Sequence, residues 1–477
     1  MSKVQAIIWS GTEKFSFEAI HFIFGIIMAR ILSPSDYGII GILMVFISFS
    51  NIFIEGGMTA ALIQKKDKET CDYDTANFYN ITASVILYVI LFFSAPLIEQ
   101  FYNIENFSNL LRSLSLTLII SSFSAVYYTR FTIEYEFKKI FFISIISLLG
   151  SGIIGIYLAL NGYGVWALIY QQLSSVFIRS FLLIILSSYK NSMNLSKKSF
   201  YSLFSFSYKL IASNILAKVY DNCYPLIIGK LFPLNILGFY SRGQQFSILP
   251  ANIINDTFSR VAFPNMSEYQ DDAKELKECF ITYLKYSSYV IFPIMFLLIV
   301  IAKPLITILL TNKWVEAVPF MQILCVGYMF NCVCAINLNL LYAKGRSDLA
   351  LKMEVIKKVT ALTILFISTF WGIWGICIGQ ALYGFVATIL NAIYTKRFIG
   401  LTYYDEFKIF GKIWIVGLSS TFIPYILTLV LQKDILRIIV PAILYTIIYI
   451  IIVKYLCNAD YNEVKQKMRI INEKKKI

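Results

Sequence analysis

Three basic residues, Arg179, Lys218 and Arg242, stand inside long apolar runs of this chain. A charge held at bilayer depth costs roughly 2.5–3.5 kcal/mol on insertion scales, so charges kept there mark function. Guanidinium and ammonium groups bind phosphate, as a fork and as a point charge respectively. Gathered together, these three cations would form a cationic cavity for an anionic substrate. Their neighbours repeat at helical spacing, which puts them on shared faces. Asn214, Lys218, Asp221 and Asn222 form one such set; Arg242, Gln245, Asn252 and Asn255 form another. Glu18 and His21, Asn51 and Glu55, and Gln172, Ser175 and Arg179 add three more. Asn51, Asn214, Asn222, Gln245 and Asn252 are expected to complete the polar lining. Glu18, His21, Glu55, Asp221 and Asp256 are the candidates for ion coupling or gating. For Asn51 or Gln172 alone, the plainer alternative is hydrogen-bonding glue between helices.

Other chemistry finds little support. His21 is the only histidine, which rules out a second His-based catalytic set. Glu18-x-x-His21 lacks the further ligands a metal needs. Among eight cysteines, Cys332 and Cys334 are spaced C-x-C with no partner pair, so neither a metal site nor a disulfide framework is expected. No Walker-type phosphate loop occurs. No catalytic residue, cofactor or metal is expected, and the chain is read as a non-enzyme.

The elements that must hold these residues are membrane spans. The chain has 477 residues, 58% hydrophobic and 15% charged, against about 25% charged for an ordinary soluble domain. A helical span needs about 20 mostly apolar residues. Fourteen can be drawn: 15–32, 38–63, 80–97, 110–128, 141–160, 165–186, 204–232, 236–263, 280–310, 317–343, 355–371, 373–395, 410–431 and 436–456. The seventh and eighth are the least apolar. With both termini in the cytoplasm, 32 of the 42 Lys and Arg residues fall on the inside, 7 outside and 3 in mid-span. Short loops split this way define orientation. The same split explains the net charge of +14 without nucleic acid. Lys3, Lys14 and the absence of a small-residue cleavage site argue against a secretory signal. The outside connections are short, Asn161 to Gly164 and Gly372 among them, and leave no room for an external catalytic domain.

An internal repeat sets the larger organisation. Arg30-Ile31-Leu32 and Gly38 recur, at an offset of 200, as Lys230-Leu231-Phe232 and Gly238, with Pro34 and Pro233 in the same turn. The expected fold is all-α: a six-helix lobe at 1–186, a cytoplasmic linker at 187–203, a second six-helix lobe at 204–396, and two additional helices with a basic tail at 397–477. Parallel repeats of this type build transporters whose site lies between the halves.

Several stretches, in order from Arg30 to Lys352, resemble the polysaccharide-transport flippases of the multidrug/oligosaccharidyl-lipid/polysaccharide exporter superfamily. They are RILSPSDYG, DYDTANFYN, SAPLIEQFYN, FTIEYEFKK, GYGVWAL, IIGKLFPLNILGFYSRGQQFSILP, RVAFPNMSEYQDD, TNKWVEAVPFMQIL and AKGRSDLALK. The subgroup most similar to it holds the lipopolysaccharide, capsular and colanic-acid-type exporters. The resemblance implies two six-helix bundles around a cationic central cleft, two extra helices, and alternating access. It implies an undecaprenyl-diphosphate-linked oligosaccharide as substrate, moved across the bacterial cytoplasmic membrane. Membrane lipids, a polysaccharide polymerase and chain-length machinery are the implied partners. Three other functions stay open; one of them, a structural or scaffolding membrane protein, would not need polar stripes on several helices. A multidrug antiporter of the same superfamily would be expected to have a more acidic and apolar cavity. A membrane glycosyltransferase or polymerase should show a sizeable outside loop.

Overall fold

The long apolar runs fold as helices throughout. The computed structural model describes residues 3–456 apart from 190, 191, 193 and 433; the side chains of Glu55 and Asp221 are not among those described, and the basic tail beyond 456 lies outside them. Among the described residues there is no strand. The chain divides into two compact units, Met1–Ser241 and Arg242–Ile477.

The first unit holds α1 (Lys3–Ile31), α2 (Pro34–Glu55), α3 (Met58–Gln64), α4 (Thr70–Tyr102), α5 (Phe107–Ile133), α6 (Phe137–Leu160), α7 (Val165–Ile185) and α8 (Lys197–Leu231). The division falls within α9 (Leu234–Glu268). The second unit continues with α10 (Ala273–Leu310), α11 (Ala317–Tyr328), α12 (Asn331–Ala343), α13 (Ser347–Ser368), α14 (Gly372–Asn391), α15 (Thr395–Ile399), α16 (Tyr403–Ser419), α17 (Phe422–Val430) and α18 (Asp434–Leu456). Each of the fourteen expected spans falls on this series. Three are broken: the second at Gly56 and Gly57, the tenth between α11 and α12, the thirteenth between α16 and α17.

Among the described residues, ten stretches are long and apolar enough to cross a membrane. One of them, Ser347–Ile399, turns back at Gly372, whose φ of +68° suits glycine, so it makes two passes. α1, α8 and α9 fall outside this set because they carry the polar stripes. Large apolar side chains point outward in quantity; Phe93 is 72% and Phe370 76% exposed. Burying one such side chain contributes about 1.5–3 kcal/mol in water. A surface of this composition requires lipid, and the protein is a multi-pass membrane protein.

Local sequence explains how the first unit closes. Ser33, Pro34 and Asp36 start α2 with a capping box, Ser33 N donating to Asp36 Oδ2 at 2.9 Å and Asp36 N to Ser33 Oγ at 3.3 Å. Both copies of the repeated motif then meet. A Cβ on Gly38 would lie 2.0 Å from the Leu234 carbonyl oxygen, and one on Gly238 1.9 Å from the Pro34 carbonyl oxygen. This reciprocal approach of the first turns of α2 and α9 is possible only without side chains, which is the physical reason the motif keeps glycine in both copies.

The segment 187–203 differs in part from the expected linker. Ser196 caps α8, its Oγ accepting from Ser199 N at 3.3 Å, so residues from Lys197 onward are already helical. The stretch before it is held by Asp74, which is 1% exposed near the start of α4. Its carboxylate accepts from the Tyr189 hydroxyl, from Ser192 Oγ at 2.5 Å, and from the backbone N–H groups of Ser192 (3.4 Å) and Asn194 (3.1 Å). Burial, and then the Asp74 carboxylate, push the Tyr189 hydroxyl pKa up.

Candidate functional site

α2, α3, α5 and α7 enclose a cavity of about 470 Å³ in the first unit. Asn51, Gln172 and Arg179 line it, on α2 and α7. α5 supplies Thr117, Ser121, Ser124, Tyr128, Thr129 and Thr132, at helical spacing on one face. Most of these hydroxyls donate to their own helix: Thr117 to Leu114 O at 2.6 Å, Ser121 to Leu118 O at 3.0 Å, Thr129 to Ala125 O at 2.9 Å, Thr132 to Tyr128 O at 3.0 Å. Their lone pairs remain as acceptors toward the cavity, suited to ligand hydroxyls. Ser124 and Ser180 hydrogen-bond across α5 and α7 at 2.8 Å.

Among the described residues, Arg179 is the only cation in this lining. Its guanidinium carbon stands 4.9 Å from the Tyr128 ring centroid, a cation–π contact. No described carboxylate lies within ion-pair distance of it. Among the described residues, the lining thus combines hydroxyls, two amides and one guanidinium with apolar side chains such as Met44, Ile47 and Val176.

The other expected site residues are placed as follows. Lys218 is exposed on α8, and its backbone carbonyl accepts from Asn222 Nδ2 at 2.8 Å. Asn214 is exposed one turn earlier, packed near Gly56. Glu18 and His21 are exposed on α1, His21 stacked against Phe17 at 6.1 Å between centroids. The side chains of Glu55 and Asp221 lie outside those described. In the second unit Arg242 is buried, donates to Gln245 Oε1 and sits 5.9 Å from the Trp314 ring centroid. Asn252 and Asp256 are exposed on α9. The structure thus brings Asn51, Gln172 and Arg179 together.

Two features escaped the sequence reading. The Ser/Thr face of α5 was visible as spacing, at 117, 121, 124 and 132, but hydroxyls in an apolar run read as helix-compatible residues. In the second unit a groove of about 500 Å³ is walled by apolar side chains including Val326, Phe330, Leu382, Phe385, Phe407 and Trp414. It was hidden among the general excess of aromatics.

A helical membrane unit that encloses a partly polar cavity bearing a guanidinium has the makings of a transporter. The chain belongs to the polysaccharide biosynthesis protein family, which matches residues 27–319, and with it to the flippase branch expected from its motifs. It is similar to the lipopolysaccharide biosynthesis protein WzxC of Escherichia coli K12, 22% identical over 85% of this chain and 83% of that one. It is 24% identical to an uncharacterized membrane protein in the cps region of Klebsiella pneumoniae, over 90% and 87% of the two chains. Its fold is similar to that of the lipid II flippase MurJ in an inward closed conformation, with a TM-score of 0.76 at 16% identity, covering 95% of this chain and 99% of that one.

Proposed function

We propose that this protein is a flippase that carries an undecaprenyl-diphosphate-linked oligosaccharide across the bacterial cytoplasmic membrane for surface polysaccharide synthesis. The observation that carries the reading is Arg179, a guanidinium with no described carboxylate partner in a hydroxyl-lined cavity inside a membrane unit. An ion kept there at roughly 2.5–3.5 kcal/mol calls for an anionic ligand. The relative WzxC is a lipopolysaccharide biosynthesis protein, and the matching family is one of polysaccharide biosynthesis proteins.

In this reading Arg179 and Lys218 of the first unit engage the substrate's charged part, and both termini are cytoplasmic. The protein makes and breaks no bond. It alternates the exposure of its site between the two membrane faces, and the ligand shifts that equilibrium only by its differential affinity for the two states. Downstream, a polymerase and chain-length machinery receive the product. The test is reconstitution in vesicles with labelled lipid-linked oligosaccharide and measurement of transbilayer movement. Movement dependent on the protein is expected; movement no faster than in empty vesicles would overturn the reading. Reporter fusions after Lys198 and Lys476 should both report cytoplasm.

A further inference from the structure

We infer that the second unit carries a site for a singly charged phosphate group, the phosphodiester of an anionic phospholipid, in a cavity bordered by Lys303 and Arg437. The binding stands apart from the flippase reading; only the leaflet that the site meets rests on the orientation proposed above.

A cavity of about 230 Å³ lies among α10, α11, α17 and α18, with Asn312 reaching it from the turn between the first two. Lys303 on α10 and Arg437 on α18 both line it. Arg437 is fixed in place: its Nε donates to the Leu431 carbonyl, left open where α17 ends, and its Nη1 to Asp434 Oδ1 at 3.3 Å. Its Nη2 has no acceptor among the described residues. Lys303 forms no ion pair with a described residue. Asn312 and Tyr425 add an amide and a phenol to the lining, donors that serve phosphate oxygens as well.

The charges in this lining select the ligand. Among the described residues it holds two cations and one carboxylate, Asp434, and so carries one net positive charge. A monoanion balances that charge; a diphosphate would exceed it. An ammonium and a guanidinium are the groups that phosphate oxygens take, as a point charge and as a fork. The setting points to lipid as the source. Leu429, itself part of the lining, is 61% exposed, and Val430 and Ile435 beside it are exposed apolar side chains. A phosphate seated here stands next to hydrocarbon at the end of a span, where a phospholipid headgroup lies. In the proposed orientation this end meets the outer leaflet, which the positive-inside rule leaves poor in cations. Seven of the 42 Lys and Arg residues are expected on that side, and two of them border this one cavity. A headgroup held by both would tie α18 to α10.

The experiment uses the purified full chain in nanodiscs of phosphatidylcholine alone and of phosphatidylcholine with phosphatidylglycerol. A third sample adds inorganic phosphate to the phosphatidylcholine discs at constant ionic strength. Thermal unfolding is followed, and retained lipid is counted by native mass spectrometry. Lys303→Gln and Lys303→Glu alter a charge with no described partner, so the fold should be kept. The control is the double variant Lys396→Gln, Arg397→Gln, which changes net charge as much as Lys303→Glu does, at an exposed pair away from the cavity. Phosphatidylglycerol should raise the wild-type midpoint by about 2 °C or more and remain bound. Lys303→Gln should lose at least half of that rise, Lys303→Glu all of it, and the control none. A rise with inorganic phosphate alone that Lys303→Glu abolishes upholds the phosphate site with a soluble ligand in place of lipid. No rise with either ligand overturns the site, as does a rise that Lys303→Glu retains or that the control loses equally. The samples contain no lipid-linked oligosaccharide, so failure here is distinguishable from failure of the flippase reading.

Discussion

Asp74 and Arg179 are charges of opposite sign within one unit, and their surroundings differ in kind. Asp74 is sealed at the start of α4 and accepts from four donors drawn from Tyr189, Ser192 and Asn194. Arg179 borders an open cavity, touches the Tyr128 ring and has no described carboxylate partner. A satisfied buried charge stabilises the fold, because each hydrogen bond to a charged group contributes about 1.5–3 kcal/mol net. A charge left facing a cavity stabilises little. The same chain holds two charges in opposite settings, and solvent access with partner count tells them apart.

That contrast predicts opposite phenotypes. Arg179→Gln should lower transbilayer movement of lipid-linked oligosaccharide at least about tenfold, an effect of about 1.4 kcal/mol or more on the step. Its unfolding midpoint should stay near wild type or rise. Normal transport in this variant would break the comparison. Asp74→Asn should do the reverse. The amide's own N–H groups would face the donors of Ser192 and Asn194, so stability should fall by about 2 kcal/mol, read as detergent-resistant folded fraction on heating. Transport per folded molecule, measured well below the midpoint, should stay within about twofold of wild type, since a stabilising charge does not meet the ligand.

Smaller effects sharpen the boundaries of the cavity. Gly38→Ala or Gly238→Ala forces a methyl against a backbone carbonyl and should cost about 1–3 kcal/mol through overpacking. The double variant should be less than additive, because one methyl already separates the helices and makes room for the other. Strict additivity in thermal unfolding would show that the two glycines are not in contact. Ser124→Ala removes the bond to Ser180 across α5 and α7; membrane hydrogen bonds of this type average about 0.6 kcal/mol, so only a small loss of stability is expected. A larger loss would mean that the cavity wall depends on this bond.

The spans were legible because a bilayer rewards one simple property, an apolar run of sufficient length, and loop charge reports its orientation. Arg179, Asn51 and Gln172 were legible for the same reason: a polar residue in such a run is conspicuous. The Asp74 junction was visible only as a motif, since its partners lie 115 to 120 residues away. Lys303 and Arg437 were passed over for a different reason. Each stands near the end of an apolar run, where a cation reads as a charge that reports orientation and not as part of a cavity.

By itself, then, the sequence determined the membrane class, the placement of the long helical runs, the repeated glycine motif and the presence of charges within spans. Those depend on local composition and on spacing along one chain. The tertiary structure decided that Arg179 borders a hydroxyl-lined cavity, that Asp74 grips the segment before α8, and that Lys303 and Arg437 border one cavity. Burial and partner count arise from residues distant in sequence, and whether a charge is satisfied depends on what other helices bring beside it.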